Sequence, residues 1–171
     1  MALYPLMRGG GLFLVIIGAM IMAGAALPRT RNRLLAWGLA LASIATAVAA
    51  PSLTRPLGVP TWQQILALAA SVLFELILIP TVVRGVRHHG ERIIILSVLL
   101  VIGLHFLPMM LAFGPIMVLL GILTILNASA GLWLTPTMDL AIFWFFDGLL
   151  KLACGTIMLV AGGLTFSFAA F

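Results

Sequence analysis

The chain has 171 residues, 64% of them hydrophobic and 8% charged, and its mean hydropathy is +1.29. An ordinary soluble domain is about 45–50% apolar and about 25% charged, so these charges are too few to cover a water-soluble globule. A soluble enzyme, a nucleic-acid binder and a disordered linker are excluded as first readings, and the solvent expected for this chain is lipid.

A membrane-spanning helix needs about 20 apolar residues, and six stretches qualify in chain order. The first runs over 11–27 and stops at Pro28 and the basic run Arg29, Arg31, Arg33. The second covers 34–50 and ends before Pro51. The third spans 61–80 and is followed by the most polar segment of the chain, 84–92, with Arg84, Arg87, His88, His89, Glu91 and Arg92. The fourth runs over 93–112, where Pro108 either kinks the helix or ends it. The fifth, 115–134, opens on Pro115, which suits a first helical turn because its missing N–H has no partner to lose there. The sixth covers 139–165. Barrel strands alternate apolar with polar residues, whereas these runs are apolar on every side. The expected fold is therefore all-α: one polytopic domain of six transmembrane helices.

Orientation follows from the arginines. Arg29, Arg31, Arg33, Arg84, Arg87 and Arg92 fall around the first and third linkers, on one side of a six-helix chain, against Arg8 and Arg55 on the other. Basic linkers stay cytoplasmic, so both termini are expected on the non-cytoplasmic side of a bacterial inner membrane, with the six arginines contacting lipid headgroups. The linker 135–138 carries no basic residue. Arg8, an apolar run and Ala23-Gly24-Ala25 resemble a signal peptide. The arginines that follow would oppose translocation, so this stretch is read as a span.

Charged groups near a bilayer centre cost roughly 2.5–3.5 kcal/mol each even on gentle scales, so each asks for a partner or a purpose. At about 1.5 Å per residue, Glu75 is expected about 7 Å from the cytoplasmic boundary, Asn127 about 10 Å, Asp147 about 12 Å, and His105 and Lys151 about 18 Å. These five side chains, from four helices, are the candidate site for binding an ion or small solute or for relaying a proton. Asp147 and Lys151 are four apart and share a helix face, acid first, the better order for a pair. Histidine changes charge near neutral pH, while His105 beside Pro108 also suits a neutral structural role. Glu75 either snorkels toward Arg84 and Arg87 or turns inward. Asn127, with Thr124 and Ser129, suits hydrogen bonds between helices.

No metal-ligand spacing or phosphate-cradling loop is present, so no metal or cofactor is expected. Gly11 to Gly18 resembles Gly114 to Gly121, a likeness attributed to chance. Small residues (Gly18, Ala19 and Ala23–Ala26; Ala40, Ala42, Ala45 and Ala47; Gly155, Gly162 and Gly163) permit close helix contacts, within a homo-oligomer or a larger membrane complex as well as within the chain. Trp37, Trp62, Trp133 and Trp144 suit interfacial anchoring. Three functions compete: a small transporter or channel acting through the polar cluster, a non-catalytic accessory subunit, and an intramembrane enzyme, for which Cys154 offers no activated nucleophile. Substrate and direction of transport are not encoded in any motif.

Overall fold

The computed structural model describes residues 4–135 and 137–162, and among them the fold is all-helical. Seven α-helices follow one another: α1 Met7–Ala26, α2 Arg31–Thr54, α3 Trp62–Val86, α4 Glu91–Phe106, α5 Met110–Phe113, α6 Ile116–Ser129 and α7 Leu140–Ala161. A 3-10 turn, Pro28–Thr30, precedes α2, and a π-turn, Ala130–Leu134, prolongs α6. Five helical stretches are long and apolar enough to cross a bilayer: α1, α2 with its 3-10 turn, α3, α6 with its π-turn, and α7. The chain is built as a membrane protein.

Helix ends depart from the apolar stretches for local reasons. Both α2 and α3 run through their prolines, Pro51 and Pro80. In each case a hydroxyl next to the proline takes up a carbonyl of the same turn: Ser52 donates to Ala49 (2.9 Å) and Thr81 to Ile77 (2.7 Å). Neither bond takes the carbonyl that its proline leaves free, Ala47 or Leu76, and both helices continue through nonetheless. Consequently α3 extends to Val86, six residues beyond its expected end, and Arg84 lies in its last turn. At its start, Thr61 and Gln64 form a reciprocal cap, with contacts of 3.3 and 2.9 Å. Asp139 caps α7 through Ala141 N–H at 2.9 Å.

The fourth stretch is the one that breaks. Helix α4 is 16 residues long and ends at Phe106, where Leu107 N–H turns to Leu104 instead of Gly103. Beyond Pro108 comes the four-residue α5, closed by Gly114 at φ +94°, a left-handed conformation that favours glycine. The sixth stretch is helical from Leu140 to Ala161, and its expected tail, 163–165, lies outside the described residues together with Gly163.

Packing is organised by glycines. Helices α1 and α7 run antiparallel along most of their length. Gly11 meets Gly155 and Gly18 meets Gly148, so that a β-carbon on any of the four would stand 2.7–2.8 Å from the facing glycine's carbonyl oxygen. The seven-residue spacing on both helices places these glycines on one stripe, where two backbones touch. Gly103 and Gly121 make the corresponding contact between α4 and α6, at 3.0 and 2.8 Å. In the resemblance between 11–18 and 114–121, Gly11 lies within a helix whereas Gly114 is a turn residue, and only Gly18 and Gly121 make similar contacts, each against a glycine of another helix. Of the four expected alanines in α2, only Ala42 is fully buried, while Ala40 and Ala47 are exposed. Both α2 and α3 lie at the periphery with long apolar faces outward.

One end of the bundle carries the ionic contacts. Arg31 pairs with Glu91 and stacks on Trp144, its guanidinium 5.3 Å from the ring centroid. Arg92 donates to the carbonyls of Gly131 (2.9 Å), Thr135 (2.8 Å) and Met138, closing the end of the π-turn. Arg31 and Arg92 are thus bound to the protein itself, whereas Arg29, Arg33, Arg84 and Arg87 are exposed. Trp37, Trp62 and Trp133 are also exposed, but Trp144 is buried against Arg31 and above Gly24 and does not act as an interfacial anchor.

Candidate functional site

Four ionisable side chains converge in the middle of the bundle. Because α3 continues to Val86, Glu75 lies about 16 Å from that end of the helix, more than twice the depth expected from a stop at Pro80. Lys151 is about 16 Å from the start of α7, Asp147 about 10 Å, and His105 about 21 Å from the start of α4.

The first pair joins α3 to α4. His105 Nδ1 is 2.8 Å from Glu75 Oε2. The approach lies off the imidazole N–H direction, so this is a close contact of two ionisable groups and not an aligned hydrogen bond. His105 is buried, and the Glu75 side chain keeps 32% of its surface exposed. Its flanking residues Phe74, Leu76 and Ile77 are exposed on the outer face of α3. The Glu75 carboxylate therefore sits at the bundle's outer surface while contacting an interior histidine. Glu75 thus contacts His105 and neither Lys151 nor the arginines Arg84 and Arg87.

The second pair lies within α7. Lys151 Nζ donates to Asp147 Oδ1 one turn earlier, and the two residues are 3% and 0% exposed. A charge pair this deep repays its desolvation only when its other lone pairs and protons also find partners. Lys151 does so in part, because Nζ lies 5.5 Å from the centroid of the Phe106 ring, a cation–π contact. Asp147 Oδ2, in contrast, is buried without a hydrogen-bond partner among the described residues.

Phe106 stands between the pairs. Its ring packs edge-to-face on His105 with centroids 5.2 Å apart, and Lys151 approaches it from α7. The order across the bundle is Glu75, His105, Phe106, Lys151, Asp147. Four of the five candidate residues thus belong to one chain of contacts. Asn127 does not: its Nδ2 donates to the Phe143 carbonyl at 2.9 Å and ties α6 to α7 nearer the ionic end.

Two features of the region carry no sequence signal, and a third departs from its expected role. Phe106 looked like any core aromatic. The Arg31–Glu91 pair spans sixty positions, so no spacing rule reaches it. Thr124, expected with Asn127 to hydrogen-bond between helices, is fully buried with its Oγ1 lacking a partner among the described residues. A threonine inside a run as apolar as 116–126 is the only local signal.

No curated protein and no solved structure matches this chain. A family profile does, over residues 2–164, nearly the whole length. The chain belongs to that family, the family of unknown function DUF6609.

Proposed function

We propose that the protein crosses the membrane six times and moves a proton, an ion or a small polar solute through the mid-bundle layer. The sixth crossing is made by α4 and α5 together. The antiparallel contact of α1 with α7 supports this: with α1, α2, α3, α6 and α7 alone crossing, α7 would be the fifth pass and would run parallel to α1. The excess of arginines at the Arg31–Arg92 end supports a cytoplasmic position for that end, with both termini opposite, as in a bacterial inner membrane.

One observation carries the transport reading: the buried Asp147–Lys151 pair and the half-buried Glu75–His105 contact, from three helices, lie on either side of the Phe106 ring. Ionisable residues this deep in a membrane bundle are costly, and ion pathways and proton relays are among the roles that retain them. Glu75 and His105 would take up the transported species at one side of the layer and Asp147 with Lys151 at the other, with Phe106 moving aside for passage.

The test is flux into proteoliposomes carrying a trapped pH dye, with and without an imposed ion gradient. Flux lost in both Glu75→Gln and Asp147→Asn supports the reading, and flux unchanged in both overturns it. A second reading, an accessory subunit of a larger membrane complex, draws on the self-neutralised Asp147–Lys151 pair, which serves packing alone equally well. It predicts co-purification with a fixed partner and no flux from the isolated chain.

A further inference from the structure

Among the buried side-chain polar atoms without a hydrogen-bond partner in the described residues, Asp147 Oδ2 and Thr124 Oγ1 belong to the two residues that are 0% exposed. The register of α6 against α7 brings them to one level. On the side of the ionic end, Asn127 of α6 bonds the Phe143 carbonyl of α7. On the other side, Phe106 joins the two helices: a β-carbon on Gly121 would stand 3.3 Å from Phe106 Cβ, and Lys151 Nζ stacks over the Phe106 ring. Thr124 lies midway between Gly121 and Asn127 on α6, and Asp147 midway between Phe143 and Lys151 on α7. Antiparallel helices pinned at both of these levels must hold Thr124 and Asp147 in the layer between. Both side chains are fully buried, so neither turns to lipid. They do not bond each other, since each atom is unpartnered.

We infer that an ordered water molecule is bound between Thr124 and Asp147, donating to Asp147 Oδ2 and accepting from the Thr124 hydroxyl. The chemistry suits water and little else. A carboxylate oxygen only accepts and a hydroxyl can donate, so one molecule able to do both satisfies them together. Buried waters take two to four such contacts and occupy sites of this kind. A metal cation is disfavoured by the Lys151 ammonium on the same carboxylate, and an anion by the carboxylate itself. The water completes the solvation that the ion pair lacks, and it does so whether or not the protein transports anything.

Two measurements on the full chain in lipid test this. The first is an experimental structure at a resolution that shows single waters, of the native chain and of Thr124→Val, which keeps the shape and removes the hydroxyl. Density within hydrogen-bond distance of both atoms, lost in the variant, is the expected result. Thr124 turned onto the Leu120 carbonyl, or Asp147 Oδ2 taken directly by Lys151 or Thr124, with no density between, overturns it. The second needs no variant structure: infrared spectra of the native chain in heavy water should show a sharp internal O–D stretch that shifts with oxygen-18 water. Thr124→Ser, which keeps the hydroxyl, should retain that band and Thr124→Val should lose it. Absence of the band from the native chain, or its persistence in Thr124→Val, counts against the site.

Discussion

Gly18 and Gly148 face each other so closely that a β-carbon on either would lie 2.7 or 2.8 Å from the other's carbonyl oxygen. With Gly11 and Gly155 they make the α1–α7 contact a meeting of two backbones. In lipid there is no hydrophobic force between helices, so close van der Waals packing of this kind supplies association. Alanine at Gly18 meets only backbone, and alanine at Gly148 meets the Gly18 carbonyl and the Met22 backbone as well as the Met22 side chain, so each should cost about 1–3 kcal/mol, the usual range for overpacking. Gly85→Ala, where nothing lies within 4 Å, is the control and should be neutral or slightly stabilising. Unfolding in mixed micelles measures both.

The Asp147–Lys151 pair predicts strong non-additivity. Lys151→Met alone or Asp147→Ala alone strands one buried charge and should cost about 3–5 kcal/mol, while Asp147→Leu with Lys151→Met should recover most of that. The double variant should fold and carry no flux, which separates stability from transport. A double variant destabilised by the sum of the two single effects would show that the charges are not coupled.

Phe106 is the partition between the two pairs. Phe106→Leu keeps an apolar side chain of similar reach but removes the flat ring that holds Lys151 and His105 apart. In proteoliposomes this variant should leak protons faster than the native chain, with little change in stability. A flux unchanged from the native value would remove Phe106 from the pathway.

Arg92 holds three carbonyls at the end of the π-turn. Hydrogen bonds to a charged donor are worth about 1.5–3 kcal/mol when a partner is removed, so Arg92→Met should loosen residues 130–135 first. Hydrogen exchange at Thr135 N–H, which bonds Ala130 at 3.0 Å, should accelerate well before that of the α7 core.

Arg31 and Glu91 should respond unequally. Glu91 is mostly exposed, so Glu91→Gln removes a solvent-screened pair worth less than about 1 kcal/mol. Arg31 is buried and stacked on Trp144, so Arg31→Ala also loses that contact and the packing of its stem, a larger effect. A shift in Trp144 fluorescence in Arg31→Ala but not in Glu91→Gln would register the difference.

Hydropathy, read residue by residue, was enough to determine the solvent, the helical class and the approximate place of each long helix, because transfer to lipid depends on local composition and a backbone in lipid must bond to itself. The i, i+4 spacing likewise made the Asp147–Lys151 pair legible. The depth of Glu75 was not, since it turns on whether a helix survives Pro80, and a hydroxyl of the next residue accompanies that outcome. Nor was the fate of Arg31, Arg92 and Trp144: arginine and tryptophan at a helix end serve headgroups or protein equally well until neighbouring helices are in position. Only the tertiary structure set His105 against Glu75 and put Phe106 between that contact and the Asp147–Lys151 pair. Those relationships depend on the register between helices distant in sequence, which no local pattern encodes; glycine backbone contacts fix that register only for α1 against α7 and α4 against α6.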